Sequence, residues 1–169
     1  MGLSKWITKA NEWLAKGSMY LILALVVVVC FDVLMRYLFN RPTTWSFEAA
    51  LHLYAIAFLV SSGWVLSMQA HVKVDVLYVR FSPRKRAFIN VIFCLLFLLP
   101  VCFFLVKDGF DYAYASWKVG EVSRGSPLHE PVWVLKVFIP ISFLMLGLQG
   151  IVELVKDVGA LFRSNSPAK

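Results

Sequence analysis

Four long apolar blocks limit most strongly what this chain can fold into. They lie at about residues 19–39, 49–68, 88–106 and 132–155. At 1.5 Å per residue, each is close in length to the hydrocarbon core of a bilayer, about 30 Å. Hydrophobic residues make up 60% of the 169 residues and charged residues only 16%, whereas soluble domains carry about a quarter charged residues. We therefore predict an all-α integral membrane protein with four transmembrane helices.

The segment before the first block has a different pattern. From Trp6, apolar residues recur at i, i+1, i+4, i+7 and i+8, while Glu12 and three lysines lie elsewhere. This predicts an amphipathic helix at the membrane interface. The apolar run that follows is too long for a signal peptide and has no small-residue cleavage site behind it. The expected organisation is an interfacial helix over 1–16, a four-helix membrane domain over 17–157 and a cytoplasmic tail over 158–169.

The net charge of +7 is distributed unevenly between the two sides of the membrane. Eleven of the seventeen Lys and Arg residues lie at the chain termini and between the second and third spans. The positive-inside rule then predicts a multi-pass protein with both termini in the cytoplasm. No basic stripe on a soluble fold is evident, so we expect membrane lipids and no nucleic acid among its partners.

Local sequence signals predict where the regular structure changes. Pro100 and Pro140 fall inside the third and fourth spans and predict kinks there. The apolar pattern of the third helix continues to Trp117, so this helix is expected to project beyond the membrane. Glycines and prolines predict an irregular loop over 119–131, and alternation of polar residues with valines over 71–76 predicts an extended or interfacial segment.

Ionisable residues inside membrane spans indicate function by default. Asp32 and Arg36 are separated by one helical turn near the end of the first span, as are Glu48 and His52 at the start of the second. They could form two pairs within helices, or a cluster across helices in which Arg36 reaches both Asp32 and Glu48. We favour a structural or partner-docking role over substrate binding. Gln149, in the fourth span, is expected to hydrogen-bond across helices.

The middle of the predicted bundle contains no Asp, Glu, Lys, Arg or His. A chain that moved an ion or an anion by itself would be expected to carry such groups, or broken helices, near the midplane. No catalytic motif or metal-ligand spacing is present. The three cysteines show no C-x-x-C spacing and are expected to serve as packing residues. We predict a scaffold rather than an enzyme, with no catalytic, substrate-binding or metal-ligating residues and no cofactor.

Several short motifs resemble one family of membrane proteins. The run R-Y-L-F-N-R-P over 36–42, followed by Trp45 and Glu48, resembles the R-Y-x-F-N-x-P-x-x-W-x-x-E signature of the small membrane subunit of tripartite ATP-independent periplasmic (TRAP) transporters. The run H-V-K-V-D over 71–75 is similar to that family's H-V-x-V-D. The late residues Gly120, Glu121, Lys136 and 148–150 are also similar to many members. The motifs follow one another in order over residues 36–150.

The resemblance implies a role in a secondary transporter of bacterial inner membranes that imports an organic acid with sodium. In such a transporter, a periplasmic substrate-binding protein captures the substrate, and a large multi-helix membrane subunit carries the transport sites. The small subunit would be a non-transporting scaffold. Together with the residues singled out above, the signature positions form the expected structural and interfacial set: Arg36, Asn40, Trp45, Glu48, His52, His71, Asp75 and Gln149.

Two alternatives from other classes remain open at this point. One is a self-contained small transporter that forms a homodimer with a shared path through Glu48 or Asp32. The other is a haem-bearing membrane anchor of a redox complex, which would need two axial histidines on facing helices. Only His52 lies in a predicted span, whereas His71 and His129 are expected on opposite sides of the membrane.

Overall fold

The computed structural model describes residues 2–68, 83–123 and 129–163. Four helices in this part of the chain are long and apolar enough to cross a membrane, which confirms the all-α fold with four spans. We call the end of the bundle that carries residues 39–45, 120–123 and 129–131 the loop end. The opposite end, where α1 begins and the last helix ends, is the terminal end.

Helix α1 extends without interruption over Gly2–Leu38. Residues 2–16 of the segment expected at the membrane surface are therefore continuous with the first span. Gly17 is the one residue between them that disfavours a helix, and glycine costs only about 1 kcal/mol relative to alanine. Contacts of this segment with the other helices outweigh that cost, as described below. Its depth relative to a membrane surface stays a prediction.

A short turn joins α1 to α2, which spans Ser46–Ser67. Asn40 adopts a left-handed backbone with φ of 51°, a conformation that asparagine tolerates better than most residues. The backbone NH of Arg41 donates to the carbonyl of Met35 at 3.0 Å, which reverses the chain immediately after α1. Pro42 follows, and its missing NH group prevents the helix from resuming there.

Helix α3 consists of three consecutive stretches, Pro83–Phe93, a π-helical turn Cys94–Leu98, and Leu99–Val119. The disturbance expected at Pro100 takes the form of this π-helical turn. Pro100 cannot donate to a preceding carbonyl and its ring crowds the previous turn, so a local widening of the helix relieves both problems. The helix ends at Gly120, whose φ of 64° is the left-handed conformation of a typical C-terminal cap.

Helix α4, Val132–Arg163, is the central element of the bundle and contacts α1, α2 and α3. In its most apolar segment 39% of residues are buried, compared with 6% in α1, 11% in α2 and 6% in α3. Small side chains bring α3 and α4 close together: a Cβ atom on Gly109 would lie 3.2 Å from Pro140 Cδ, and one on Gly147 would lie 3.3 Å from Cys102 Cβ. Close contact at small residues is the usual way membrane helices pack.

Candidate functional site: polar clusters at the two ends of the bundle

The terminal end contains a neutral polar network centred on Gln149, which is fully buried. Asn11 Nδ2 donates to Gln149 Oε1 at 3.2 Å, across the α1–α4 interface. The Gln149 amide in turn donates to Thr8 Oγ1 at 3.3 Å and to Glu153 Oε1 at 3.1 Å. Because Asn11 is also fully buried, the first third of α1 is fixed to α4 rather than lying free. We call Thr8, Asn11 and Gln149 the amide network.

Helix α2 contacts the same network at a glycine. A Cβ atom added to Gly63 would lie 2.8 Å from Asn11 Cγ, so any larger residue would displace the asparagine. Asn11 Oδ1 is buried and has no hydrogen-bond partner among the described residues. The amide network therefore lies where α1, α2 and α4 meet, and Gly63 provides the space for it.

At the loop end, Asp32 organises the turn between α1 and α2. Its Oδ2 accepts from Arg36 Nη2 at 2.7 Å, one helical turn away. Its Oδ1 accepts from the backbone NH of Thr43 at 3.0 Å and from the Thr43 hydroxyl. Ser46 Oγ donates to the Thr43 carbonyl at 3.2 Å. One carboxylate thus links the last turns of α1 to the residues that lead into α2.

Glu48 does not pair with Arg36, contrary to one of the two arrangements expected from the sequence. Its Oε1 accepts from the hydroxyl of Ser123, 75 positions later in the chain. Arg36 is about half exposed and binds Asp32 within its own helix. The local pairing forms because the two residues are separated by one helical turn, whereas Glu48 faces the segment that follows α3.

His52 connects α2 to the residues just before α4. Its Nδ1 donates to the Glu48 carbonyl at 2.8 Å and lies 3.8 Å from Glu130 Oε2. Two polar atoms of this group, Glu48 Oε2 and His52 Nε2, are buried and have no hydrogen-bond partner among the described residues. The group of Glu48, His52, Ser123 and Glu130, which we call the α2–loop cluster, therefore holds the segment between α3 and α4 against α2.

A buried lysine supports the same segment from α4. Lys136 is only 6% exposed, and its ammonium binds the carboxylate of Glu121 and lies 3.9 Å above the ring of Tyr112. Ser116 Oγ also donates to Glu121, at 2.7 Å. A lysine can remain buried in this position because a carboxylate and an aromatic face replace its hydration shell.

The structure places the remaining signature residues as follows. Asn40 forms the left-handed turn after α1, and the ring of Trp45 lies 6.2 Å from that of Phe31, packing the turn against α1. His71 and Asp75 lie outside the described residues. Among the described members of the predicted set, Glu48 and His52 share a cluster, whereas Gln149 lies at the other end of the bundle. The roles of these residues stay predictions.

Several residues of these clusters were not singled out by sequence reasoning as site residues. They are Thr8, Asn11, Thr43, Ser123 and Glu130. Asn11 carried little signal, because it lies beside the apolar face that begins at Trp6 and is one of several polar residues in an amphipathic segment. Ser123 stands beside the family-like residues Gly120 and Glu121, but no local pattern predicts that it and Glu130 contact α2.

In the polar groups at both ends of the bundle, the side chains bind one another. Within the described part of the chain, no group of three or more His, Cys, Asp or Glu side chains could hold a metal ion. Most of the charged side chains at the loop end contact an opposite charge or a hydroxyl. Such an arrangement can fix helix positions and partner contacts.

Comparison with known proteins identifies the family. Residues 25–160 match the family described as "Tripartite ATP-independent periplasmic transporters, DctQ component". The match covers well over half of the chain and includes all four spans in whole or in large part. This chain belongs to the DctQ family. The resemblance read from the short motifs is therefore confirmed, and the protein is a component of a TRAP transporter.

Comparison with a relative gives the same family. The chain is 31% identical, over 147 residues, to the sialic acid TRAP transporter permease protein SiaT of Haemophilus influenzae. The matched segment covers 84% of this chain but only 22% of that relative, so this DctQ chain spans about a fifth of the relative's length. No solved structure matches the chain.

Proposed function

We propose that this DctQ chain is a non-transporting scaffold subunit of a TRAP secondary transporter. In this proposal it pairs with a large membrane subunit and a periplasmic substrate-binding protein to import an organic acid with sodium. It lies in the bacterial inner membrane with both termini in the cytoplasm. Sialic acid, named for the relative, is an organic acid and is the first substrate to test.

The absence of charge from the middle of the bundle is the observation that carries this proposal. Residues 17–31, 53–67, 87–106 and 137–152 contain no Asp, Glu, Lys, Arg or His. The described polar clusters are confined to the two ends, and their members bind one another. A coupled transporter needs polar groups or interrupted helices near the midplane to bind ions and substrate.

Two further observations support a scaffold role beside a larger membrane component that carries the transport sites. Helices α1 and α3 leave most of their apolar surface uncovered, with residues such as Val27, Leu34 and Phe103 at least half exposed. This surface is available to lipid and to a partner. In addition, the part of SiaT that matches this chain is about a fifth of that permease. We then expect the transport sites in the remaining part of SiaT and, for this DctQ chain, in a separate large subunit that corresponds to that part.

Reconstitution in liposomes tests the scaffold role. Vesicles would contain this chain alone, the large subunit alone, or both, each with the binding protein, labelled sialic acid and an inward sodium gradient. We expect uptake above empty vesicles only with both subunits, and loss of that uptake when sodium is replaced by potassium. Uptake by this chain alone would contradict the proposal and favour the self-contained homodimer.

Cysteine labelling tests the orientation. In a background lacking Cys30, Cys94 and Cys102, single cysteines would replace Gly2 at the terminal end and Val119, which is 81% exposed, at the loop end. With both termini in the cytoplasm, an impermeant thiol reagent added to intact spheroplasts should label V119C and not G2C. The reverse result would invert the proposed topology, and lysed membranes, in which both should react, provide the control.

A further inference from the structure

A groove opens between α2 and α3 near the terminal end. Both helices pack against α4 but make little or no contact with each other. The space between them is a cavity of about 440 Å³ that is open to the surroundings. Its walls are Leu66 of α2 and Phe93, Phe97 and Val101 of α3, and Leu154 of α4 forms part of its floor. A volume of this size with mostly apolar walls is typical of small-molecule sites.

The polarity of the groove changes along its length. Its polar lining residues, Asn90, Glu153 and Asp157, all lie toward the terminal end, whereas the lining toward the middle of the bundle is apolar. From Asn90 to Val101 the wall of α3 rises about 16 Å at 1.5 Å per residue. A groove that is long, apolar and polar at one end matches the shape of an amphiphile whose head lies at the membrane surface.

The shape of the groove results from two features of the packing. The π-helical turn Cys94–Leu98 forms part of the α3 wall. On α4, Gly150 lies so close to Leu98 that a Cβ atom there would meet Leu98 Cδ2 at 2.6 Å. The absence of a side chain at Gly150 therefore lets α3 approach α4 at this level and deepens the floor of the groove.

Both signs of charge lie at the polar end. Glu153 Oε1 accepts from Gln149 at 3.1 Å and from Lys156 at 2.7 Å. Both of these hydrogen bonds use the same oxygen, and Glu153 Oε2 makes none to the described residues. The Lys156 side chain is 55% exposed. A carboxylate oxygen with open lone pairs thus lies beside an accessible ammonium group.

We propose that the groove binds one phospholipid with a zwitterionic, primary-ammonium headgroup, phosphatidylethanolamine being the natural probe. An acyl chain lies along Phe93, Phe97 and Val101. The headgroup ammonium donates to Glu153 Oε2, and the phosphate faces Lys156. An anionic headgroup such as that of phosphatidylglycerol has no ammonium to donate to Glu153 and leaves its phosphate charge uncompensated beside that carboxylate, and a trimethylammonium headgroup has no NH to donate. The inference goes beyond the scaffold role and does not depend on it.

Native mass spectrometry of the purified full-length chain tests this directly. Phosphatidylethanolamine, phosphatidylcholine and phosphatidylglycerol with identical acyl chains would be titrated into a lipid-free preparation. We expect one ethanolamine lipid to bind about tenfold more tightly than the other two, the difference expected for a hydrogen bond to a charged group. Equal affinities, or a preference for the glycerol lipid, would overturn the proposal.

Two matched pairs of variants locate the site. Leu66→Trp fills the groove from α2, whereas Leu51→Trp changes an exposed residue of the same helix that does not line it. Glu153→Gln keeps an acceptor for Gln149 and removes the negative charge at the polar end of the groove. Its control is Glu12→Gln, which removes the negative charge from the Glu12–Lys16 pair on α1. We expect L66W to lose the bound lipid, E153Q to lose the headgroup preference, and both controls to bind as the unmodified chain does. Unchanged binding by L66W and E153Q would contradict the site.

A measurement on the unmodified chain avoids the risk that a variant misfolds. Cys94 lines the groove, and Cys30 is exposed on α1, away from it. Added phosphatidylethanolamine should slow modification of Cys94 by a membrane-soluble maleimide while leaving Cys30 unchanged. Equal rates at Cys94 with and without the lipid would show that the lipid does not occupy the groove.

Discussion

The two polar ends of this bundle are stabilised by different chemistry. The amide network at the terminal end is neutral, its two amides are fully buried where three helices meet, and it depends on a glycine for space. At the loop end, the side chains are charged, many are partly exposed, and they hold connecting segments against helices. The first arrangement sets how the helices pack, and the second sets how the chain passes between them. Substitutions at the two ends should therefore differ in size and kind.

The largest effect is expected at Gly63. Gly63→Ala places a Cβ against Asn11 in a closely packed interface, and overpacking of this kind costs about 1–3 kcal/mol. Gly17→Ala is the matched control, because a Cβ there meets nothing within 4 Å and removal of a mid-helix glycine stabilises by about 0.5–1 kcal/mol. Unfolding of both variants in mixed micelles measures the difference. Equal stability of the two would show that α1 is not fixed to α2 at Asn11.

The next effect is expected at Gln149. Gln149→Leu removes the better acceptor of the buried Asn11 amide, whose other contact is the Met145 carbonyl at 3.5 Å. Thr8 keeps its hydrogen bond to the Ser4 carbonyl. The loss should lower the free energy of unfolding by about 1–3 kcal/mol. Replacing both Asn11 and Gln149 by leucine should cost less than the sum of the single changes, because no amide is then left unpaired. Strict additivity in this double-mutant cycle would contradict the network.

At the loop end, Asp32→Ala should destabilise the bundle less than Gln149→Leu. It removes the acceptor for Thr43 and so loosens the turn between α1 and α2. Glu12→Ala removes an otherwise similar pair, Glu12–Lys16 at 2.7 Å, which supports no turn, and should change little. Thermal unfolding of both variants compares them. An equal loss would mean that Asp32 acts only through its pair with Arg36.

The smallest effect on folding is expected at Arg36. Its side chain is 55% exposed and pairs within α1, so Arg36→Ala should cost at most about 1 kcal/mol, as exposed ion pairs do. Because the expected effect of Arg36→Ala on folding is small, an effect of this substitution on assembly with the large subunit can be measured separately. Normal folding of the variant with reduced co-purification of the large subunit would assign Arg36 to partner docking. Severe loss of folding would instead indicate that Arg36 stabilises the ends of α1 and α2, as a cluster across these helices would require.

Sequence reasoning identified the charged residues of the loop end more readily than the neutral residues of the terminal end. Asp32, Arg36, Glu48 and His52 stand out because a charge in an apolar block is rare. Asn11 and Thr8 lie in an amphipathic segment where polar residues are ordinary. Their importance comes from burial, which a one-dimensional pattern shows poorly.

The sequence by itself determined the four spans, the all-α fold and the family. Span length and hydrophobicity are properties of one segment at a time, and the bilayer imposes the same length on every segment. The tertiary structure alone decided which polar residues meet: Glu48 with Ser123 rather than with Arg36, and Gln149 with Asn11, 138 positions earlier in the chain. It also made α4 the central helix. Such choices depend on how close small residues let helices approach and on which faces then meet, and no single segment contains that information.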